Sequence, residues 1–372
     1  MSASAWLTRQ WLRRGLAARL LWPGHALMQG LIALRRMAYA RGWKVSRALP
    51  VPVIVVGNRV VGGAGKTPTV LALVRHLRAQ GWQPGVLSRG YGRQTSGTQA
   101  IILDAGTEEG LDARQVGDEC WLIWRHTSAP MGIASRRHDA GQVLLKAHPE
   151  IDILVCDDGL QHWPLARQIE IVVFDERGQG NGWLLPAGLL REPINSPPGP
   201  GCTEAPLVLY NAAKPSTRQS GHLALKALAP LQRWQDWWDG SPPPSQGPRV
   251  PEVLRQAGPA ELWAVAGIAQ PQRFFKPLRH LGLNFTPCPR PDHDRLDPLP
   301  WPETAKHVVL TEKDAVKLSP ERLAAQRPGT QVWVAALDFQ PEKAFWQELD
   351  RRLDHLHAQA GGASVSADVA PA

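Results

Sequence analysis

The chain has 372 residues, 43% hydrophobic and 20% charged. That composition excludes a disordered chain and a multi-span membrane protein, and it leaves room for two domains with their own cores. The net charge of +9 is local: no Asp or Glu precedes Asp104, while the same stretch holds 15 Lys and Arg. The four cysteines, Cys120, Cys156, Cys202 and Cys288, form no C-x-x-C pair. This argues against a disulfide framework or structural zinc and fits a reducing compartment.

Residues 1–49 carry four of the 16 tryptophans and nine Lys/Arg. No secretory signal is evident, because Arg19, Pro23 and His25 break the apolar stretch after Leu16. Leu27, Leu31 and Leu34 recur at helical spacing, with Arg35, Arg36 and Arg41 close behind. No run reaches the ~20 apolar residues of a spanning helix. Trp and Leu on one side with Arg on the other suit an amphipathic helix in an anionic membrane interface. The plainer alternative is a basic helical extension packed on its own domain. Nucleic-acid binding is not expected, since no zinc finger or RNP motif accompanies the charge.

From residue 50 to 184, short Val/Ile/Leu runs alternate with helix-like segments. Strands are expected at Val53–Val56, Gly85–Ser88, Ala100–Leu103, Met131–Ala134, Ile153–Cys156 and Ile171–Phe174. Apolar runs without polar alternation mean strands covered on both faces, as in a doubly wound, mainly parallel α/β sheet. The Pro/Gly-rich stretches "SPPGPG" (196–201) and "DGSPPPSQGP" (239–248) read as loops. Further runs at Leu207–Tyr210, Leu262–Ala266 and His307–Leu310 indicate a second, smaller α/β domain over 185–340. Residues 341–372 read as a C-terminal helix and a low-complexity, disordered tail.

"VIVVGNRVVGGAGKTPTVLAL" (53–73) combines a strand, a glycine turn and a Lys-Thr pair opening a helix. These are the mechanics of a P-loop, whose backbone N–H groups and helix N-terminus hold phosphate oxygens. Gly62, Gly63, Ala64, Gly65, Lys66 and Thr67 form the candidate cradle, with Lys66 reaching the β/γ-phosphates and Thr67 offering a hydroxyl to Mg²⁺. Val60 stands where the strict pattern has glycine, so the loop resembles the GGxGK[ST] variant; Val61 stands where many such ATPases carry an extra lysine.

"IDILVCDDGLQH" ends an apolar strand in Asp157 and Asp158, the place of Walker-B acids that hold Mg²⁺ directly or through water. "TEKD" (311–314) fails the guanine-reading [NT]-K-x-D pattern because Lys313 and Asp314 are adjacent, so ATP is the expected nucleotide. For a proton acceptor at an alcohol, "VGDE" offers Asp118 and Glu119, and "PDHD" offers Asp292, His293 and Asp294. Spacing alone does not bring positions 118 and 293 together.

Eight stretches, "PVIVVGN…GGAGKTP", "LSRGYGR", "VGDE", "DDGLQH", "GNGWLLPAGLLREP", "AGIAQPQRFF", "DH" and "TEKDAVK", stand in the order found in the lipid A tetraacyldisaccharide 4′-kinases. The resemblance runs from about Pro52 to Lys317. It implies a kinase at the cytoplasmic face of the inner membrane, peripheral or monotopic. Such an enzyme moves the ATP γ-phosphate to the 4′-hydroxyl of an acylated glucosamine disaccharide 1-phosphate, with Mg²⁺, and no obligate protein partner is evident.

The resemblance further implies that Asp118 is the general base, assisted by His293. Lys66 and Thr67 contact phosphate and metal, and Asp157 and Asp158 are the metal-linked acids. Arg89, Tyr91, Gln161 and His162 line the acceptor side. Four positions depart from the family's usual pattern: Cys120 and Leu189 replace proline, Ala269 replaces glycine, and Asp294 replaces histidine. The rival reading is a membrane-peripheral P-loop ATPase switch with no small-molecule acceptor.

Overall fold

The computed structural model describes residues 10–93, 99–107, 110–241, 243–244 and 247–365. Of the tail predicted to be disordered, residues 358–365 continue the helix Lys343–Val365, and residues 366–372 lie outside the described residues. Fourteen strands are described: β1 (Val53–Gly57), β2 (Pro84–Ser88), β3 (Ile101–Leu103), β4 (Met131–Ile133), β5 (Ile153–Asp157), β6 (Ile169–Asp175), β7 (Leu207–Asn211), β8 (His222–Leu228), β9 (Gln232–Arg233), β10 (Leu262–Ala266), β11 (Thr286–Pro289), β12 (His307–Thr311), β13 (Gln331–Ala335) and β14 (Leu337–Pro341).

The chain divides into two compact units, one of residues 1–87, 136–225 and 340–372, the other of 88–135 and 226–339. This differs from the contiguous division expected at 184/185. The segment 88–135, which the alternation of apolar runs assigned to the nucleotide-binding domain, is grouped with the second unit. The physical reason is visible in its helix Asp118–Thr127, which packs against the helix Glu312–Ala315. There His126 Nε2 meets Glu312 Oε1 at 2.8 Å.

In the first unit, β8-β7-β6-β1-β5-β2 lie side by side, and every pairing among them is parallel. β1, β2, β5, β6 and β7 are buried along their whole length, as their uninterrupted apolar runs require. The register sets Val53 opposite Leu154 and Val56 opposite Asp157. The loop after β1 and the acids ending β5 therefore share one end of the sheet, outside the strand carboxyl ends where doubly wound sheets bind ligands.

The N-terminal segment forms helices Leu16–Leu20 and Trp22–Ala40. Met28 and Ile32, one turn apart, pack on a cluster of Val60, Ala64, Leu184, Leu189 and Leu190, while Leu27, Leu31 and Leu34 face outward. Arg35 and Arg36 do not form a free basic face opposite the leucines. Arg35 Nη2 donates to the Gln161 carbonyl at 2.7 Å, and Arg36 pairs with Glu192 at 3.6 Å. Among the described residues, no helix is long and apolar enough to cross a membrane.

The second unit is built on a five-stranded sheet, β11-β10-β12-β13-β9, parallel except for the antiparallel β13–β9 pair. Its core gathers Leu254, Leu262, Phe275, Leu278, Val309 and Trp333. β3 and β4, expected as buried parallel strands, instead pair antiparallel, with Ile101 opposite Ile133. The reason is that β3 is only three residues long and partly exposed, which suits a short antiparallel ribbon.

Candidate functional site

The loop after β1 is shaped by backbone. Gly65 caps the helix Lys66–Ala79 in the left-handed region, φ +96°. A Cβ there would lie 2.1 Å from Asn211 Nδ2, so only glycine fits. Asn211, at the end of β7, donates to the Ala64 carbonyl at 3.1 Å, and Asn58 donates to the Gly62 carbonyl at 3.0 Å. Arg177 stands over the loop, with Nη1 3.3 Å from where a Gly62 Cβ would be. Its Nε is held at 2.8 Å by the fully buried Asp175. These contacts hold the cradle in shape from outside, as phosphate binding by backbone amides needs.

At the same end of the sheet, Asp157 is buried and Asp158 is partly exposed, with φ +46°. Asp158 Oδ1 lies 3.7 Å from Lys66 Nζ and 3.2 Å from Arg191 Nη1, and its carbonyl accepts from Arg137 at 3.1 Å. Thr67 occupies the first turn of the helix beside Lys66. Thr67, Asp157 and Asp158 together offer a hydroxyl and carboxylates, hard oxygen donors of the kind Mg²⁺ takes, so the donor set fits such an ion.

Gln161 belongs to the first unit and is engaged by protein: its Nε2 donates to Glu192 at 2.9 Å and to the Asn58 carbonyl at 3.2 Å. His162 is half-buried beside it, and its carbonyl accepts from Arg167. Cys156 is fully buried, and burial pushes its thiol up, in keeping with a small strand residue.

The second unit brings Asp118 and His293 together. Gly117, φ +97°, caps the helix Asp118–Thr127; a Cβ on it would press on the Tyr91 carbonyl at 2.7 Å. That cap puts Asp118 and Glu119 in the first turn, where the helix dipole favours negative charge. His293 lies in the turn after β11 at φ +60°, a conformation non-glycine residues adopt rarely and often for function. Its Nδ1 is 3.4 Å from Asp118 Oδ2, and the Tyr91 ring centroid is 5.0 Å from its own. Both Asp118 and His293 line a cavity of about 420 Å³, with Trp121, Lys317 and Leu318 among its walls. Arg89 is exposed and belongs to this unit, whereas Gln161 and His162 belong to the first.

Reading the sequence overlooked Lys313, Lys317, Arg191 and Asn211. Three of them stood inside motifs already in hand, "TEKDAVK" and "GLLREP", where an unassigned cation was the available signal. Thr311 and Asp314 of "TEKD" cap the helix Glu312–Ala315, the Thr311 side chain accepting from the Asp314 N–H. Of the departures, Leu189 is fully buried in the cluster under the N-terminal helix, so an apolar side chain suits that place. Ala269 is exposed and is not among the positive-φ residues Ser128, Asp158, His293 and Leu296. Asp294 pairs with Arg290 at 3.0 Å and accepts from the Leu296 N–H at 2.7 Å, bracing the turn that carries His293.

The family model for tetraacyldisaccharide-1-P 4′-kinases (LpxK) matches residues 17–354. The tetraacyldisaccharide 4′-kinase of Methylibium petroleiphilum is 49% identical over 362 residues, 96% of each chain. That of Leptothrix cholodnii is 49% identical over 348 residues, 93% of this chain and 95% of its own. The crystal structure of Aquifex aeolicus LpxK in complex with ATP shares the fold at a TM-score of 0.71 and 24% identity, covering 91% of this chain and 99% of that one.

Proposed function

The chain belongs to the tetraacyldisaccharide 4′-kinase family, and we propose that it moves the γ-phosphoryl group of ATP to the 4′-hydroxyl of an acylated glucosamine disaccharide 1-phosphate. The observation that carries this reading is the register of β1 on β5, which sets the glycine loop and the strand-end acids at one end of a buried parallel sheet. A kinase needs an acceptor, so the acceptor-free ATPase switch is set aside.

In this reading the amides of Gly62 to Lys66 and the Lys66 ammonium hold the nucleotide phosphates and neutralise charge that grows on them in transfer. Arg191, now on Asp158, is a second cation within reach of that end of the sheet. Thr67, Asp157 and Asp158 would hold Mg²⁺, which when bound supplies charge neutralisation on phosphate oxygens. Asp118 receives the proton of the attacking hydroxyl, and His293 orients it. Tyr91 beside His293, and Arg89, Gln161 and His162, are the proposed acceptor contacts.

An acylated acceptor stays in a bilayer, so the enzyme must work at the cytoplasmic face of the inner membrane. Supporting this, Leu20, Leu27, Leu31 and Leu34 are 81%, 67%, 52% and 52% exposed, with Arg13, Arg19, Arg41 and Lys44 exposed nearby. Each such cation adds ~1 kcal/mol of attraction to an anionic surface. The test is transfer of label from γ-labelled ATP to the acylated disaccharide 1-phosphate in micelles, beside the same acceptor blocked at its 4′-oxygen. Label on the first alone supports the reading; label on both, or on neither with folded, ATP-binding protein, defeats it.

A further inference from the structure

We propose that Lys317 and Lys313 are positioning residues of the Asp118–His293 pair: Lys317 fixes the Asp118 carboxylate, and Lys313 fixes the ring of His293 with its proton on Nδ1, toward Asp118. The proposal rests on the reading of Asp118 as the proton acceptor in phosphoryl transfer.

Lys317 is almost wholly buried and lies between two carboxylates. Its Nζ is 3.4 Å from Asp118 Oδ2 and 3.0 Å from Asp314 Oδ1. Asp314 is fully buried and also accepts from the Gly267 N–H at 2.8 Å and the Thr311 hydroxyl at 2.7 Å. Three donors thus fix Asp314, which fixes Lys317, which presents its charge to the one Asp118 oxygen that also faces His293. An ammonium held this way keeps the carboxylate ionised and fixes its angle before the hydroxyl proton arrives.

Lys313 works on the other edge of the imidazole. Its Nζ is 3.2 Å from His293 Nε2, 3.1 Å from Asp292 Oδ1 and 3.4 Å from Glu119 Oε1. Burial lowers its proton affinity, but Glu119, Asp292 and Asp118 outweigh burial and the net direction is upward, so Lys313 is an ammonium. An ammonium only donates. Nε2 must therefore accept, which leaves the ring proton on Nδ1, 3.4 Å from Asp118 Oδ2. That distance is long for a hydrogen bond, and Nδ1 has none of ordinary geometry, so the contact has room to tighten as the acceptor binds.

Two measurements test this. The first is the ¹⁵N NMR signature of His293, assigned by its loss in His293→Gln, in wild type and Lys313→Met. The expected result is a single Nδ1–H tautomer in wild type that is lost in Lys313→Met; a wild-type ring protonated on Nε2, or an unchanged signature in the variant, overturns the Lys313 assignment. This arm needs no turnover, so it stands apart from any failure of the kinase reading.

The second is transfer kinetics of Lys317→Met and Lys317→Arg. Lys317→Met should lose about tenfold or more in kcat with KM for ATP within about twofold, and Lys317→Arg should recover most of the loss. Near-wild-type kcat in Lys317→Met overturns the assignment. So does an equal loss in a well-folded Lys317→Arg, since a cation would then not be what matters. If Lys317→Met does not fold, Lys317→Arg and the NMR arm carry the test.

Discussion

The two charged constellations of this molecule are built in opposite ways. At the end of the first unit's sheet, Asp158, Lys66 and Arg191 have side chains 35%, 12% and 28% exposed. Such pairs are screened and weakly stabilising, and their partners can be exchanged when nucleotide and metal arrive. In the second unit, Lys317 is 6% exposed and Asp314 not at all, with Asp118 at 16%. Buried pairs hold one geometry and are costly to break. The difference teaches two ways of building a charged site: exchangeable at the end of the first unit's sheet, where we propose that phosphate binds, and fixed around Asp118, the proposed proton acceptor.

The strongest way to break this comparison is at Asp118, the proposed proton acceptor. Asp118→Asn should cut kcat for transfer by about 10²-fold or more while leaving ATP affinity near wild type, read by single-turnover transfer and nucleotide binding. Next comes Asp314→Asn, which leaves the buried Lys317 ammonium with one carboxylate. It should lower unfolding stability by about 3–5 kcal/mol, measured by urea denaturation; a loss below about 1 kcal/mol would erase the distinction between fixed and exchangeable sites.

Asp158→Asn supplies the contrast. Its stability should change by less than about 1 kcal/mol, while the Mg²⁺ concentration needed for half-maximal transfer rises; an unchanged Mg²⁺ titration would count against the metal role. The smallest expected effect on stability is that of Leu27, Leu31 and Leu34 replaced together by Ser. Each exposed site should shift stability by no more than about 0.5 kcal/mol, whereas co-sedimentation with anionic vesicles should fall at least about tenfold. Unchanged sedimentation would remove the leucine row from the membrane contact.

How much of this was legible in the sequence follows the same division. The first unit's strands were readable because burial on both faces writes itself as unbroken runs such as Val53–Val56 and Ile153–Cys156. The P-loop was readable because its glycines answer local backbone demands, as at Gly65. The antiparallel turn of β3 and β4 was not, because three-residue strands carry too little pattern to fix direction. Nor was the grouping of 88–135 with the second unit, which depends on side-chain packing around His126 and Glu312.

The motif-level readings show the limit more sharply. "VGDE" and "PDHD" offered Asp118 and His293, but 175 positions separate the two, and no periodicity spans that gap to bring them together. "TEKDAVK" was weighed as a guanine reader and as a family motif, with no role given to its cations. Its cap, Thr311 with Asp314, and its cations, Lys313 and Lys317, gain meaning only once β12 sets them beside Asp118 and Glu119.

The most direct test of the central claim, that the fixed site receives the proton while the loop holds the phosphates, is a side-by-side measurement on wild type, Lys66→Ala and Asp118→Asn. For each, ATP binding and transfer of the γ-label to the acylated disaccharide 1-phosphate are measured on the same folded protein. The account predicts that Lys66→Ala loses both binding and transfer, and that Asp118→Asn binds ATP like wild type but leaves the lipid unlabelled. Near-wild-type labelling by Asp118→Asn would contradict it.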